Sequence, residues 1–578
     1  MGKLDRQLKK ERKKEKELQQ TMEEALYSRN FKKFGFDLNP FVSFTAAFLI
    51  FFLTVYAFVS NAGLFGLRPA YEVFDDATSF IVDNADWTFI LATNFFIAFC
   101  VYLAASKLGN IRLGGLNAKP EFSRFSWYSM LISAGMGIGL MFWAVGEPLS
   151  HSVVAPPIYT GQSDNIGALA ATFLHWGLHP WAIYAVMALA LAYFAYNKKL
   201  PLSLRSIFYP IFKERVFGRI GDVIDLIAVL ATLFGLATSL GLGVQQMNSG
   251  LNYLLPFIPF NVYIQVLLII VITAIATISI ISGIHKGVRF LSEMNIRIAG
   301  VFMALVLLIG PTAVILRTFA TSLGVYFGDF IPASMFLSLG DTAARAWQGD
   351  WTIFYWAWWI SWSPFVGMFV ARVSRGRTIR EFIVAVLFVP SMLSFLWLSV
   401  FGGAAFSVNE NMGGGLFDIV SADLPVGMFE MFNNFDIGFM QGVVAIILSI
   451  VATVLVMFFF ITSSDSGSIV VNAITSGGKT DTKSRQRVFW AAMEGLIAAV
   501  LILIGGEQAL SALQNAVILT GLPFAILLFI MSIILLLSLQ MTYNKQKHRY
   551  DVNRVRDIIE DEEIVQDVIE EENIQVKS

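Results

Sequence analysis

Long apolar runs alternate with short polar connections along nearly the whole chain. Runs able to cross about 30 Å of hydrocarbon fall near 42–63, 88–106, 127–149, 166–196, 220–247, 261–283, 297–317, 351–371, 380–401, 436–464, 487–506 and 518–541. They predict about twelve transmembrane helices, because lipid admits only helices and closed barrels, and a barrel shows short alternating strands instead. The fold class is an all-α polytopic membrane protein. Two stretches, 284–296 and 325–350, mix charged and apolar residues and read as helices lying on the membrane or as loops with some helix.

Basic residues then orient the spans. The N-terminal tail is rich in Lys and Arg, and every second connection is too. These are Lys107, Arg112, Lys119 and Arg124; Lys198, Lys199, Arg205, Lys213 and Arg215; Lys286 and Arg289. The alternation continues with Arg372, Arg375, Arg377 and Arg380, then Lys479, Lys483, Arg485 and Arg487, and finally Lys545, Lys547 and Arg549. The intervening connections are nearly free of cations; the one after the ninth span carries Glu410, Asp418, Asp423 and Glu430 instead. Both termini are expected in the cytoplasm.

Composition agrees with this class and removes others. Of 578 residues 56% are apolar and 14% charged, against roughly a quarter charged in soluble domains. The net charge of −1 implies no nucleic-acid partner. The single cysteine, Cys100, cannot build an intramolecular disulfide framework. The polar N-terminus is not a cleavable secretory signal. No nucleophile, metal set or acid–base pair stands out in the spans, so an enzyme is not expected. His175 and His179 alone are too few donors for zinc, and with His151 and His285 they read as packed or interfacial.

Chemistry concentrates at irregular places in the spans. The third contains Gly135, Gly137 and Gly139, and each glycine weakens a helix by about 1 kcal/mol relative to alanine. Either the helix breaks there, freeing backbone groups that need polar partners, or the small residues allow close packing. In the eighth span Pro364 is expected to interrupt the hydrogen-bond ladder, beside Ser361, Ser363, Trp356, Trp358, Trp359 and Trp362. Interrupted spans five apart point to an inverted-repeat transporter with a midplane site. Spans three to seven (127–320) and eight to twelve (321–542) would be the repeats, preceded by two additional helices at 41–126. A basic tail, 1–40, and an acidic tail, 543–578, flank them.

In the fourth span Trp176, Trp181 and Tyr184 fall within an arc of about 140° on a helix, loosened by Pro180. With Trp358, Trp359 and Trp362 they are expected to wall one cavity. A quaternary ammonium cannot donate a hydrogen bond, so aromatic faces are its favourable neighbours, each worth roughly 0.5–2 kcal/mol. A carboxylate at the ligand's other end suits freed N–H groups of the glycine stretch. Lipid anchoring and core filling remain the ordinary roles of a lone tryptophan. The tenth span ends in Thr462, Ser463 and Ser464, hydroxyls suited to a hard cation or to bonds back to their own helix. Asp465 reads as a gate or cap at the cytoplasmic end. Carboxylates deep in the spans are few, so no proton relay is evident.

The segments AGMGIGLMFWAVGEPLSH, FLHWGLHPWAIY, FYWAWWISWSPFVGMFVARVSRGRTIREF and FFITSSDSGS resemble the betaine/choline/carnitine transporter family, with the likeness running from about residue 40 to 540. The resemblance implies a LeuT-like inverted-repeat fold, usually as a homotrimer. It puts substrate-cage roles on Trp176, Trp181, Tyr184, Trp358, Trp359 and Trp362. It also implies a sodium site from main-chain oxygens of Ser133, Met136 and Phe459 with the hydroxyls of Thr462 and Ser463. Sodium is thus the implied coupling ion, and no other cofactor is expected. The form GMGIG is similar to the sodium-coupled glycine betaine branch, whereas proton-coupled choline members carry an aspartate there. One departure concerns a second sodium site: Thr232 is present, but its partner position is Leu236, so either Thr238 substitutes or the site is built differently or absent.

The implied function is sodium-driven import of glycine betaine across a bacterial cytoplasmic membrane by alternating access, in osmoprotection. The alternatives are the same fold carrying choline, carnitine, proline or ectoine, and a passive channel or sodium-independent exchanger. Residues 1–34 are expected to be helical and to lie on anionic lipid. Residues 551–578 read as a solvated, partly disordered acidic tail that contacts the basic cytoplasmic segments and tunes transport.

Overall fold

The computed structural model describes residues 24, 27–135, 137–159, 161–282, 285–479 and 482–575. Most of the expected lipid-facing N-terminal segment, 1–34, lies outside them. Among the described residues there is no β-strand, only isolated bridges pairing Phe31 with Leu38 and Arg112 with Thr378.

The longer helices are α1 (Pro40–Asn61), α2 (Ala70–Ala105), α3 (Arg124–Gly135), α4 (Ile138–Val153), α5 (Asp164–Trp176), α6 (Leu178–Ala192), α7 (Arg219–Leu254) and α8 (Val262–Ser282). They continue with α9 (His285–Ile309), α10 (Thr312–Gly328), α11 (Phe354–Val373), α12 (Ile379–Asn411), α13 (Gln441–Thr475), α14 (Ser484–Gly505) and α15 (Ala509–Gln575). Their ends carry recognisable caps. Asn39 accepts from the Val42 N–H at 3.2 Å ahead of Pro40, where a missing N–H costs nothing. Thr378 accepts from the Glu381 N–H at 3.2 Å, opening α12.

All of the expected runs fall on helices, but not all as simple spans. Among the described residues seven helices are long and apolar enough to cross a membrane, or eight if one bent pair counts as a span. The difference from twelve arises where the third run is interrupted, the sixth is described in full only to Ile278, the eighth is rich in Trp and Ser, and the eleventh and twelfth merge within 484–547. The seventh run, expected straight over 297–317, bends by 109° between Ile309 and Thr312. Gly310 and Pro311 make the corner, and the Thr312 hydroxyl caps the Leu307 carbonyl at 2.6 Å. The stretch 284–296 begins α9 rather than forming a separate surface helix, and 325–350 divides among the end of α10 and two short helical segments. The acidic tail, expected partly disordered, continues α15 as helix to Gln575.

Burial separates centre from periphery. In the most apolar stretch of 164–197 94% of positions are buried inside the protein, against 28% for α1. Phe44, Phe48, Phe51, Phe52 and Phe58 stand exposed on α1, as a lipid-facing helix requires. At the centre α6 packs along α11, and α7 along α13. Helices at matching positions of the two expected repeats touch: α3 with α11, α5 and α6 with α12, α7 with α13, and α8 with α14.

Polar ties join the connections. Arg29 meets Asp222 at 2.8 Å, Lys479 pairs with Asp37, and Arg375 meets Glu121 at 3.0 Å. Arg345 meets Asp83 at 3.3 Å, and Asn515 donates to Asp75 at 3.3 Å. One further cluster is fully buried. Arg205 donates to Asp225 at 2.6 Å and to Asp222 at 3.1 Å, and Asn39 donates to Asp222 at 2.7 Å.

Candidate substrate and ion site

Three local irregularities shape the site, and only one lies where the sequence placed it. The third span breaks: α3 ends at Gly135, and Gly137 is extended at φ −164° and ψ −167° before α4 begins. Gly139 has a different task. A Cβ there would stand 2.7 Å from Trp358 and 2.9 Å from Trp176, so two indole rings occupy that space.

The fourth span is interrupted at Gly177 (φ −97°, ψ −127°), not loosened at Pro180. Pro180 sits in the first turn of α6, where helices tolerate proline. A Cβ on Gly177 would lie 2.5 Å from the Phe395 ring, which explains the glycine.

The eighth span is not broken at Pro364. Helix α11 runs through it, because the Ser363 hydroxyl donates to the Ile360 carbonyl at 2.7 Å. That carbonyl is the one the proline's absent N–H would have bonded. The irregularity comes earlier, in a wide π turn over 348–353.

These elements enclose one small cavity, about 30 Å³ for the centre of a water-sized sphere. All six expected aromatic residues line it, with Gly137, Ile138, Gly139, Ser239, Ser394 and Ser463. Trp358 and Trp359 stack at 4.6 Å and 15°. Trp176 meets Trp359 edge to face at 4.9 Å, and Trp181 meets Tyr184 likewise at 5.4 Å. Indole donors fix these rings: Trp359 to the His175 carbonyl at 2.9 Å and Trp358 to Ser239 at 3.3 Å. The Tyr184 hydroxyl and the Trp362 N–H are buried with no partner among the described residues. The first turn of α4 presents its unpaired N–H groups at the cavity's edge, a place that favours negative charge.

The layer behind the cage was not legible as a site. Glu147 of α4 is fully buried. One oxygen accepts from Trp176 at 2.7 Å and from the Tyr355 hydroxyl; the other meets His175 Nδ1 at 2.7 Å. His175 Nε2 bonds Thr352 at 3.1 Å. The signal was available, since a carboxylate closing an apolar run is costly without partners. Glu147, His151 and His175 bring donor atoms within 4.8 Å of one another. Both Glu147 oxygens are taken by these hydrogen bonds, so the set fits a positioning network better than a metal. His151, His175 and His179 are packed, and His179 stacks on Trp356 at 4.9 Å; the side chain of His285 lies outside the described residues.

Of the expected ion ligands, Phe459, Thr462 and Ser463 share one turn of α13, and the Thr462 hydroxyl bonds back to its own helix, 2.9 Å from the Phe458 carbonyl and 3.2 Å from that of Phe459. Ser463 reaches the cavity. Ser133 belongs to the last turn of α3, whose carbonyls are free of helical bonds; Met136 lies outside the described residues. The second threonine pair is not assembled. Thr232 bonds back to Ala228 at 2.6 Å, and Thr238 bonds Leu513 of α15 at 3.1 Å.

The profile of the BCCT, betaine/carnitine/choline family transporters matches residues 41–544. The chain belongs to this family. Among BCCT relatives it is similar to glycine betaine transporter 1 of Vibrio parahaemolyticus, 48% identical over 88% of this chain and 95% of that one. It is 43% identical to a glycine betaine/proline/choline/ectoine transporter of the same organism, over 88% of this chain and 89% of that one. It is 41% identical to the glycine betaine transporter OpuD of Bacillus subtilis, over 86% of this chain and 94% of that one. It is therefore a multi-pass membrane transporter, and its aromatic cavity lies inside the region the BCCT profile covers.

Proposed function

We propose that this transporter imports glycine betaine coupled to sodium, by alternating access between two inverted repeats. The observation that carries the reading is the cavity walled by Trp176, Trp181, Tyr184, Trp358, Trp359 and Trp362 beside the first turn of α4. Aromatic faces suit a methylated cation, and the helix N-terminus suits a carboxylate. Glycine betaine carries both. The relatives' names support the same substrate.

Sodium coupling rests on the turn bearing Phe459, Thr462 and Ser463, whose hydroxyls and carbonyl are oxygen ligands of the kind a hard cation takes. One ion is proposed, since Thr232 and Thr238 are committed elsewhere. Packing of matching helices supports the repeats at 127–320 and 321–542. The basic-residue pattern supports cytoplasmic termini in a bacterial cytoplasmic membrane. The family resemblance extends the proposal to a homotrimer, contacts with anionic lipid, and osmoprotection.

A second reading, the same site carrying choline, proline or ectoine as well, is favoured by the broader relative at 43% identity. The test is labelled glycine betaine uptake into proteoliposomes with and without an inward sodium gradient. Sodium-dependent accumulation, abolished in Trp359→Ala and with a raised sodium requirement in Thr462→Ala, is the expected result. Uptake indifferent to sodium would remove the ion site and leave an exchanger. Accumulation of choline or ectoine without glycine betaine would reassign the substrate.

A further inference from the structure

Glu494 lies inside α14, fully buried, and the proposed transport cycle assigns it no task. Its carboxyl is poorly partnered. One oxygen is 3.4 Å from the Ser464 hydroxyl, and the other has no hydrogen-bond partner among the described residues. Space around that free oxygen is tight. A Cβ on Gly467 of α13 would be 3.3 Å from it and 2.6 Å from Leu236 of α7. The glycine admits the carboxyl group where a side chain at that position would crowd Leu236.

No positive charge compensates it. Helices α1, α2, α7, α8, α13 and α15 pack against α14. Among the described residues, the acid of these elements that faces it is Asp465 of α13, 5% exposed and engaged in an interaction of its own. The buried acids of α7, Asp222 and Asp225, are taken by Arg205. Burying a carboxylate without a counter-charge is costly unless a cation or a proton neutralises it. A proton needs no further space.

Ser464 links this group to the cavity. It follows Ser463, which lines the cavity, and successive helical residues point about 100° apart. One turn of α13 thus faces the cavity on one side and Glu494 on the other.

We propose that Glu494, with Ser464, is a proton-binding site, and that its occupancy is linked to cation binding at Thr462 and Ser463. The linkage rests on the proposed sodium site; the proton site does not. Deprotonation releases a proton to solvent and leaves a carboxylate behind the cation site, which strengthens cation binding. Reciprocity requires that a bound cation lower the pH at which Glu494 titrates.

The test is infrared difference spectroscopy of the full-length protein in lipid, without substrate, over a pH titration with and without sodium. A protonated-carboxyl band near neutral pH, absent in Glu494→Gln, is expected, with its midpoint moved to lower pH by sodium. Half-saturation by sodium should fall about fivefold or more as pH rises through that midpoint, within the usual range of coupling, and be flat in Glu494→Gln. An identical band in native and Glu494→Gln protein would overturn the proposal. So would a carboxylate already ionised at neutral pH and perturbed only by sodium. If Glu494→Gln does not fold, Ser464→Ala serves: losing the donated hydroxyl should raise the midpoint, and an unmoved midpoint would overturn the assignment. A band that titrates but ignores sodium supports the proton site and overturns the linkage.

Discussion

Trp176 donates its indole N–H to Glu147 at 2.7 Å, so a cage wall on α5 hangs from a buried carboxylate on α4. Tyr355 and His175 share the same carboxylate. Gln in place of Glu147 would turn an amide N–H₂ toward one of these donors. An unpaired buried donor costs about 1–3 kcal/mol, and each 1.4 kcal/mol is about tenfold in affinity. Glu147→Gln should therefore raise KM for glycine betaine uptake about tenfold or more, with the protein still monodisperse. An unchanged KM would show that the cage holds its shape without this anchor.

The glycines of the third span separate into two tasks. At Gly139 a methyl group would meet the rings of Trp358 and Trp176 at 2.7 and 2.9 Å. At Gly137 the nearest neighbour is the Trp362 ring at 4.0 Å, and the extended backbone suits other residues. Gly139→Ala should lower uptake at least tenfold, although alanine favours the helix by about 1 kcal/mol. Gly137→Ala should retain most activity. Equal losses in the two variants would mean that backbone freedom, not ring contact, sets the requirement.

Arg205 neutralises Asp222 and Asp225 where all three side chains are fully buried. Removing one partner of such a set costs about 3–5 kcal/mol, because a charge stays buried without a counter-charge. Asp222 keeps Arg29 at 2.8 Å, so the charge left bare in Arg205→Ala is that of Asp225. Arg205→Ala should lower the unfolding temperature in detergent sharply, and Arg205→Lys should recover part of the loss. A wild-type melting curve for Arg205→Ala would contradict the buried geometry.

Asp423, between two short helices outside the spans, is pushed from an ordinary value of 3.8 up to about 6 by burial. The folded state therefore holds its proton more tightly than the unfolded state. Stability conferred by the protonated form is present below pH 3.8 and declines as pH rises to about 6. Asp423→Asn should remove that decline and stabilise the protein at neutral pH by about 1 kcal/mol, allowing for partial solvent screening. Thermal unfolding from acid to neutral pH reads the slope directly, and parallel curves would refute it.

The aromatic cavity lining was readable because its members lie within two short stretches of sequence, although the arc for Trp176, Trp181 and Tyr184 assumed one continuous helix that Gly177 interrupts. What spacing could not convey was side-chain rescue of the backbone. Pro364 signals a break, yet Ser363 supplies the missing bond. Gly177 is a quiet glycine in sequence, and its role depends on Phe395, far away in the chain. Glu147 and Glu494 were hidden for the opposite reason: each is one acid in an apolar run, and its partners arrive from other helices. The corner at Gly310–Pro311 was masked by apolar residues on both sides, which hydropathy joins into one span.

Helix α15 continues for 67 residues from the membrane into the acidic tail, about 100 Å at the usual rise. Within the membrane it lies against the cage-bearing helix so closely that a Cβ on Gly521 would touch the Ala357 carbonyl at 3.0 Å. The acidic terminus and the contact with the backbone of α11 therefore belong to one continuous helix, with no loop between them.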